Sequence, residues 1–427
     1  MKIVSYIKSK PLLKILSLNS LAISAKLIAG FISIKIIAIF LNPSSMALLG
    51  NFKNFAAIAQ KLASLGFQDG IVKYVADHKE DKKNLSILIN TSLQVSIIVS
   101  TILGIIILLF SNSISIYIFD NNEYANVIKA FAILFPLYSI HILFLSILNG
   151  LKRFKEHVFT SILSSVTAVC LSFILIWQFQ LTGALYSLAI TESVIVIISY
   201  RYILKLKEFS ISLNSNYFSP DFLKKFLTFS AMALFTALLG QYSNLFIRKY
   251  LISHIGANEA GYWETMLRIS SYYLIFISSG LSLYYLPKLA ELKDDWSYKK
   301  ELISYYKTFV PLCMVILTLV FILKKWVVLI LLNEDYLPVT NIFYYQLLGD
   351  FLKVCSLAFS YQFLAKKMVK PYFITELVFY IVYIPSSVYF INASGLEGVV
   401  FAYFLSYCVY FTLNIFIFRK VLLIKKP

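Results

Sequence analysis

Apolar runs of about 20 residues recur along almost the whole chain, and this pattern limits the fold more than any other feature. An α-helix rises about 1.5 Å per residue, so each run matches the roughly 30 Å hydrocarbon core of a bilayer. Twelve such windows predict twelve membrane helices. Six fall on 15–41, 46–66, 85–110, 125–149, 157–179 and 181–204, and six on 222–252, 261–286, 304–332, 341–364, 371–391 and 396–418. The second is the least apolar, because it holds Lys53, Gln60 and Lys61. Composition agrees: only 14% of residues are charged, against about 25% in soluble domains. The expected class is an all-α polytopic membrane protein. Lys2, Lys8, Lys10 and Lys14 precede the first run, which is too long for a signal peptide and has no small-residue cleavage site after it.

The formal charge of +18 would suggest a nucleic-acid partner in a soluble protein. Its placement argues otherwise. One alternating set of loops (the N-terminus, 69–84, 151–157, 201–225, 288–302, 365–370 and the C-terminal tail) holds 27 of the 39 Lys and Arg residues. The other set (42–47, 111–125, 178–182, 253–260, 333–340 and 392–397) holds none. Basic loops stay in the cytoplasm, so both termini are expected there and nucleic acid is not an expected partner.

The chain also repeats itself with a period near 214 residues. KYVADHKED from Lys73 aligns with PKLAELKDD from Pro287, and Lys35 with Lys249. Tyr124 falls close to Tyr336, the Lys-rich turn after Asn149 matches that after Leu364, and Thr182-Gly183-Ala184 matches Glu397-Gly398-Val399. Six spans per repeat give both halves one orientation. The expectation is therefore two six-helix bundles, 1–204 and 222–427, joined by a cytoplasmic linker at 205–221. A pseudo-two-fold axis along the membrane normal would relate them, with a cleft between.

Ionisable residues inside spans are the candidate functional groups, since a mid-membrane Lys or Arg costs roughly 2.5–3.5 kcal/mol on insertion scales. Arg248, Lys249, Glu264 and Arg268 cluster at the facing ends of the seventh and eighth spans. Lys26, Lys35, Lys53 and Lys61 form the first-half counterpart, and together they predict a basic chamber in the outer half of the membrane. Competing readings stand beside this one. Lys35, Arg248 and Lys249 lie close enough to helix ends to snorkel, as do Lys129, Lys324 and Lys325. Glu264 and Arg268 stand four apart, the spacing of a structural ion pair. The acids within spans are Glu192, Asp350 and Glu376, besides Glu264. Asp350 can pair with Lys353 three residues on, whereas Glu192 and Glu376 have no partner in their own helices. Each of the three is a candidate for coupling to a proton or ion, with a bond to a neighbouring helix as the alternative. Tyr272, Tyr273, Tyr344 and Tyr345 lie inside spans, where they could contact sugar or belong to interfacial belts.

Soluble-enzyme chemistry is missing from the sequence. There is no P-loop, G-x-S-x-G or metal-ligand spacing, and no cofactor is implied. Cys170, Cys313, Cys355 and Cys408 sit in apolar segments as expected buried thiols. His78, His141, His157 and His254 form no recognisable dyad.

An ordered set of short stretches resembles the O-antigen translocases (Wzx type), and among them the enterobacterial lipid III flippases most closely. The stretches are Gly50-Asn51-Phe52-Lys53, Gly70 to Ala76, Arg248-Lys249, Tyr285-Leu286-Pro287, Gly349 to Lys353 and Ile374-Thr375-Glu376. These families belong to the multidrug/oligosaccharidyl-lipid/polysaccharide exporter superfamily. The resemblance implies a MATE-like protein of the bacterial inner membrane that moves an undecaprenyl-diphosphate-linked oligosaccharide (an O-antigen unit or a lipid III) to the periplasmic leaflet. Lys53 stands where close relatives carry Arg, which keeps the charge but gives up bidentate geometry toward phosphate.

The expected function is thus a lipid-linked oligosaccharide flippase working by alternating access, not an enzyme. Lys53, Arg248, Lys249 and Arg268 are the expected contacts to diphosphate or acidic sugar, followed by Lys26, Lys35 and Lys61. A polymerase and a chain-length regulator of the same pathway are candidate partners, beside membrane lipids. The rivals are a cation-coupled multidrug exporter, which would place unpaired acids in the cleft, and a membrane polysaccharide polymerase or glycosyltransferase, which would need a larger external loop.

Overall fold

The structure is a computed structural model describing residues 11–206, 208, 209, 214, 217–292 and 294–424. Lys2, Lys8, Lys10 and positions 207, 210–213, 215 and 216 of the expected linker lie outside the described residues. Among the described residues every regular element is helical. In chain order the helices are α1 (Pro11–Phe40), α2 (Pro43–Ala63), α3 (Gln68–His78), α4 (Lys82–Leu109), α5 (Ser111–Phe119), α6 (Ala125–Gly150) and α7 (Phe154–Leu204). They are followed by α8 (Pro220–His254), α9 (Ala257–Glu291), α10 (Asp295–Ile322) and α11 (Lys324–Leu331). A 3-10 segment (Glu334–Ile342), α12 (Phe343–Ala365), α13 (Val369–Ile417) and α14 (Arg419–Leu423) complete the chain.

Among the described residues, seven helices are long and apolar enough to cross a membrane. Two of them, α7 and α13, run 51 and 49 residues and break once, at Gln180 (φ 49°) and Gly395 (φ 62°). Each is a pair of antiparallel limbs. Ser172 and Ser187 share a hydrogen bond of 3.1 Å across α7. In α13 the rings of Phe379 and Tyr407 lie 4.7 Å apart, and those of Phe390 and Phe401 4.8 Å. What lets the limbs close is glycine. A Cβ on Gly183 would sit 1.9 Å from the Leu175 carbonyl oxygen, and one on Gly398 the same distance from that of Phe390. Backbone cannot retreat as a side-chain tip can, so Gly183→Ala and Gly398→Ala should each cost about 1–3 kcal/mol. The check is a lowered melting temperature in detergent.

The chain divides into two compact units. Unit 1 comprises Met1–Leu41 and Leu48–Tyr242, and unit 2 comprises Asn42–Ala47 and Ser243–Pro427. Helices α2 and α8 are each shared. Unit 1 has an apolar core around Phe67, Val75, Leu85, Phe144, Ile147 and Phe226. Unit 2 is built more from aromatics, among them Phe359, Phe363 and Phe418; the Phe418 ring centroid stands 5.2 Å from each of the other two.

The internal repeat is visible in local geometry. Asp81 caps α4 by accepting from the Asn84 amide at 3.1 Å, and Asp294 caps α10 from that of Ser297 at 2.8 Å. These amide bonds hold both carboxyls below the usual carboxylate range. The caps therefore persist through neutral pH and weaken only as acid protonates them through those lowered values. Short helices α5 and α11 each follow a long one directly. The Lys-rich turns share a left-handed residue, Lys152 (φ 58°) and Lys367 (φ 53°). In the second part of each repeat the correspondence settles at 215 residues, as between Gln180 and Gly395.

Candidate functional site

The charged cluster singled out in the sequence assembles inside unit 2. Arg248 on α8 donates from Nη2 to Glu264 Oε2 at 2.5 Å. Arg268, one turn further along α9, donates from Nε to Glu264 Oε1 at 2.8 Å. The two guanidinium groups thus divide one carboxylate between its two oxygens. Arg248 is only 1% exposed and lies 5.4 Å from the Trp263 ring centroid. Nearby, α9 packs closely on the start of α2: Gly261 faces the Pro43 carbonyl, where a Cβ would sit 1.8 Å from the oxygen. A buried Arg needs a counter-charge and a polarisable face, and Glu264 and Trp263 provide both.

This geometry redistributes the expected roles. Arg248, expected as a leading substrate contact, is enclosed and committed to Glu264. Arg268 has 15% of its side chain exposed, and no described residue accepts from its terminal nitrogens. Its spacing from Glu264 does produce the ion pair weighed from sequence, yet one carboxylate cannot neutralise two guanidiniums. These three side chains together keep a net charge of +1, with Arg268 at the accessible edge. Lys249 follows Arg248 and is half-buried.

The lysines of the first repeat lie in unit 1. Lys26 and Lys53 are exposed, and Lys35 is half-buried. Lys61 donates to Gln68 Oε1 at 2.9 Å. Beside Lys53, Asn51 ties α2 to α5 through the Ile118 carbonyl at 3.0 Å, and Asn54 donates to Gln241 Oε1 at 2.5 Å. Lys53 is therefore carried on a helix face pinned on both flanks.

The three candidate coupling acids have different surroundings. Asp350 is fully buried and accepts from Ser270 Oγ at 2.6 Å, Tyr273 Oη at 2.5 Å and Tyr403 Oη at 2.8 Å. The expected Asp350–Lys353 pair does not form. The short carboxylate reaches hydroxyls on α9 and α13, whereas Lys353 turns to the Tyr407 ring, 5.9 Å from its centroid. Tyr273 is thereby occupied, and Tyr344 is exposed. Glu192 accepts from Ser164 at 3.1 Å and lies 3.2 Å from Nε2 of the buried His141, whose Nδ1 is 3.1 Å from Ser199. Sequence reading missed this His–Glu pair, because its members stand 51 positions apart on different helices. Glu376 accepts from Tyr410 at 3.0 Å, and Tyr410 is 3.0 Å from Ser360. It borders a cavity of about 380 Å³ between α12 and α13. Its aromatic wall was also missed, although Tyr407 and Tyr410, three apart on one helix, signal a shared tyrosine face.

Comparison with known proteins follows the same lines. The family described as polysaccharide biosynthesis protein matches residues 12–293. The chain is 26% identical over 388 residues to the lipid III flippase of Escherichia coli (strain K12), covering 91% of this chain and 93% of that protein. The lipid III flippase of Shigella flexneri matches to the same extent. Among solved structures, the lipid II flippase MurJ in an inward closed conformation aligns with a TM-score of 0.73 at 15% identity, over 96% of this chain and 89% of that one. The MATE multidrug transporter DinF-BH, solved in complex with a ligand, also gives 0.73 at 15% identity, over 96% of both chains. The helical architecture is that of these transporters, and with two thirds of its length matched by the family, this chain belongs to the polysaccharide biosynthesis proteins.

Proposed function

We propose that this chain is a flippase that carries an undecaprenyl-diphosphate-linked oligosaccharide from the cytoplasmic to the periplasmic leaflet of a bacterial inner membrane. In this reading the protein crosses the bilayer twelve times, both termini are cytoplasmic, and the six-helix bundles 1–204 and 222–427 alternate access to the cargo. The lipid III flippases to which it is similar support the class of cargo. The observation that carries the reading is the sign of the buried cluster: two arginines on one glutamate leave a net positive charge on these three side chains. A diphosphate supplies the missing anions, and guanidinium matches phosphate well. Arg268 and Lys249 in unit 2, with Lys53, Lys35, Lys26 and Lys61 in unit 1, are the proposed contacts. Arg248 holds Glu264, and so orients Arg268. Glu192 with His141 is the preferred coupling candidate, ahead of Glu376 and Asp350. A polymerase and a chain-length regulator that use the delivered glycan are proposed pathway partners.

The test is Arg268→Ala, which leaves the Arg248–Glu264 pair neutral and intact. A hydrogen bond to a charged group is worth about 1.5–3 kcal/mol, so delivery of the lipid-linked glycan should fall roughly 10- to 100-fold at unchanged melting temperature. Wild-type surface glycan in a strain carrying only this variant would overturn the assignment of Arg268. A second reading, export of cationic drugs, draws on Glu376 beside the tyrosine-lined cavity, and efflux of the cationic dye rhodamine 6G by the wild type would favour it.

A further inference from the structure

The cavity of unit 2 has a counterpart in unit 1. That one measures about 370 Å³ and is lined by residues of α2, α3, α6 and α7. Five of its lining positions, 142, 145, 146, 149 and 157, correspond at the 215-residue spacing to 357, 360, 361, 364 and 372 in unit 2. The same spacing relates the two hairpin breaks. The two cavities are thus repeats of one structural feature, and their differences are differences of lining alone.

Those differences are chemical. Unit 1 presents Gln60, Gln68, Ser146, Asn149 and His157, with no aromatic side chain other than imidazole. Unit 2 puts Tyr361 where Ser146 stands and Tyr372 where His157 stands, and adds Tyr380, Tyr407 and Tyr410. Glu376 and Lys353 lie on the same lining. Tyr407 takes Lys353 against its ring, and Tyr380 is half-buried.

We infer that the unit 2 cavity is a subsite for a neutral pyranose of the cargo, stacked on Tyr380 and Tyr407, with hydroxyls donating to Glu376 and accepting from Lys353. Flat, rigid aromatic faces cover the C–H face of a sugar ring at low entropic cost. A carboxylate and an ammonium on one wall satisfy a ligand rich in both donors and acceptors, and demand no net charge of it. The volume falls in the range of small-molecule sites, about 300–1,000 Å³. The diphosphate is left to the basic residues, so cargo recognition is divided: charge at Arg268, ring at Tyr380 and Tyr407. This inference rests on the flippase reading and extends it to the glycan.

The experiment measures binding to the full-length protein in nanodiscs. One probe is bare undecaprenyl diphosphate, and the other is the same lipid bearing a single N-acetylglucosamine. Wild type should bind the glycosylated lipid about tenfold more tightly, a difference of roughly 1.4 kcal/mol. Tyr380→Ala with Tyr407→Ala should abolish that preference and leave binding of the bare lipid unchanged. Glu376→Gln, which keeps shape and an acceptor for Tyr410, should narrow the preference without lowering the melting temperature. Equal binding of both lipids by the wild type overturns the subsite and leaves the flippase reading standing. A preference that survives the double substitution also overturns it, as does an equal loss of both probes. If the wild type binds neither lipid, the flippase reading falls and the subsite with it. Competition by rhodamine 6G but not by the glycosylated lipid would assign the cavity to cations instead.

Discussion

Glu264→Ala is expected to cost about 3–5 kcal/mol, enough to abolish folded protein in most detergents. Removing one member of a buried ion group leaves its partners desolvated and uncompensated. Here two partners are stranded at once, and Arg248 is almost wholly enclosed. Arg268 can turn toward its exposed side, so most of the loss comes from Arg248. Replacing Arg248, Glu264 and Arg268 together by apolar residues of similar volume should restore stability, because none of the three charges is then left stranded. Transport should stay lost, because the contact proposed for the diphosphate is gone. Melting temperature and glycan delivery, measured on the single and triple variants, separate the two roles. A stable Glu264→Ala protein would show that neither arginine relies on the carboxylate.

Asp350→Ala ranks next, at on the order of 3–5 kcal/mol. It removes the acceptor of Ser270, Tyr273 and Tyr403 in one step. Each buried donor left without a partner costs about 1–3 kcal/mol, and relaxation recovers part of the total. The same three bonds join α9, α12 and α13, so the variant loosens the middle of unit 2 instead of one contact. Asp350→Asn keeps an acceptor oxygen and the shape of the site, and it should fold and transport. Normal melting with lost transport in Asp350→Asn would instead make the carboxyl a coupling group.

Much of the fold could be read from the chain because its determinants are local. A bilayer leaves backbone groups no partners except those within a helix, so each long apolar window had to be helical. The repeat was legible through residues whose geometry is special. Gly183 and Gly398 stand where limbs meet too closely for any Cβ, and Asp81 and Asp294 where helix amides need an acceptor. The register moves by two residues along the repeat, since the capping aspartates stand 213 apart and the hairpin breaks 215. Alignment by letters alone gave a single period near 214, because it averages over loops of unequal length.

The candidate site was legible as a list of charges but not as a division of labour. Position in sequence marked Arg248, Glu264 and Arg268 as anomalous, since intramembrane charge is costly wherever it occurs. Which arginine is enclosed depends on how α8 and α9 pack, which the positions of the charges in the chain do not specify. Asp350 and Lys353 illustrate the same limit. Helical spacing brings their Cα atoms to neighbouring faces, yet the hydroxyls that claim Asp350 come from residues 77, 80 and 53 positions away.

By itself the sequence determined an all-helical membrane protein, an internal repeat and the identity of the ionisable residues that interrupt its apolar segments. Periodicity, capping and the energetic penalty of buried charge are properties of short segments, and they need no knowledge of neighbours. Only the tertiary structure decided that Glu264 is shared by two arginines, that Asp350 binds three hydroxyls and that repeat-equivalent cavities differ in their linings. Those outcomes depend on which side chains meet across helices distant in sequence, and the free energy of a buried polar group depends on just those meetings.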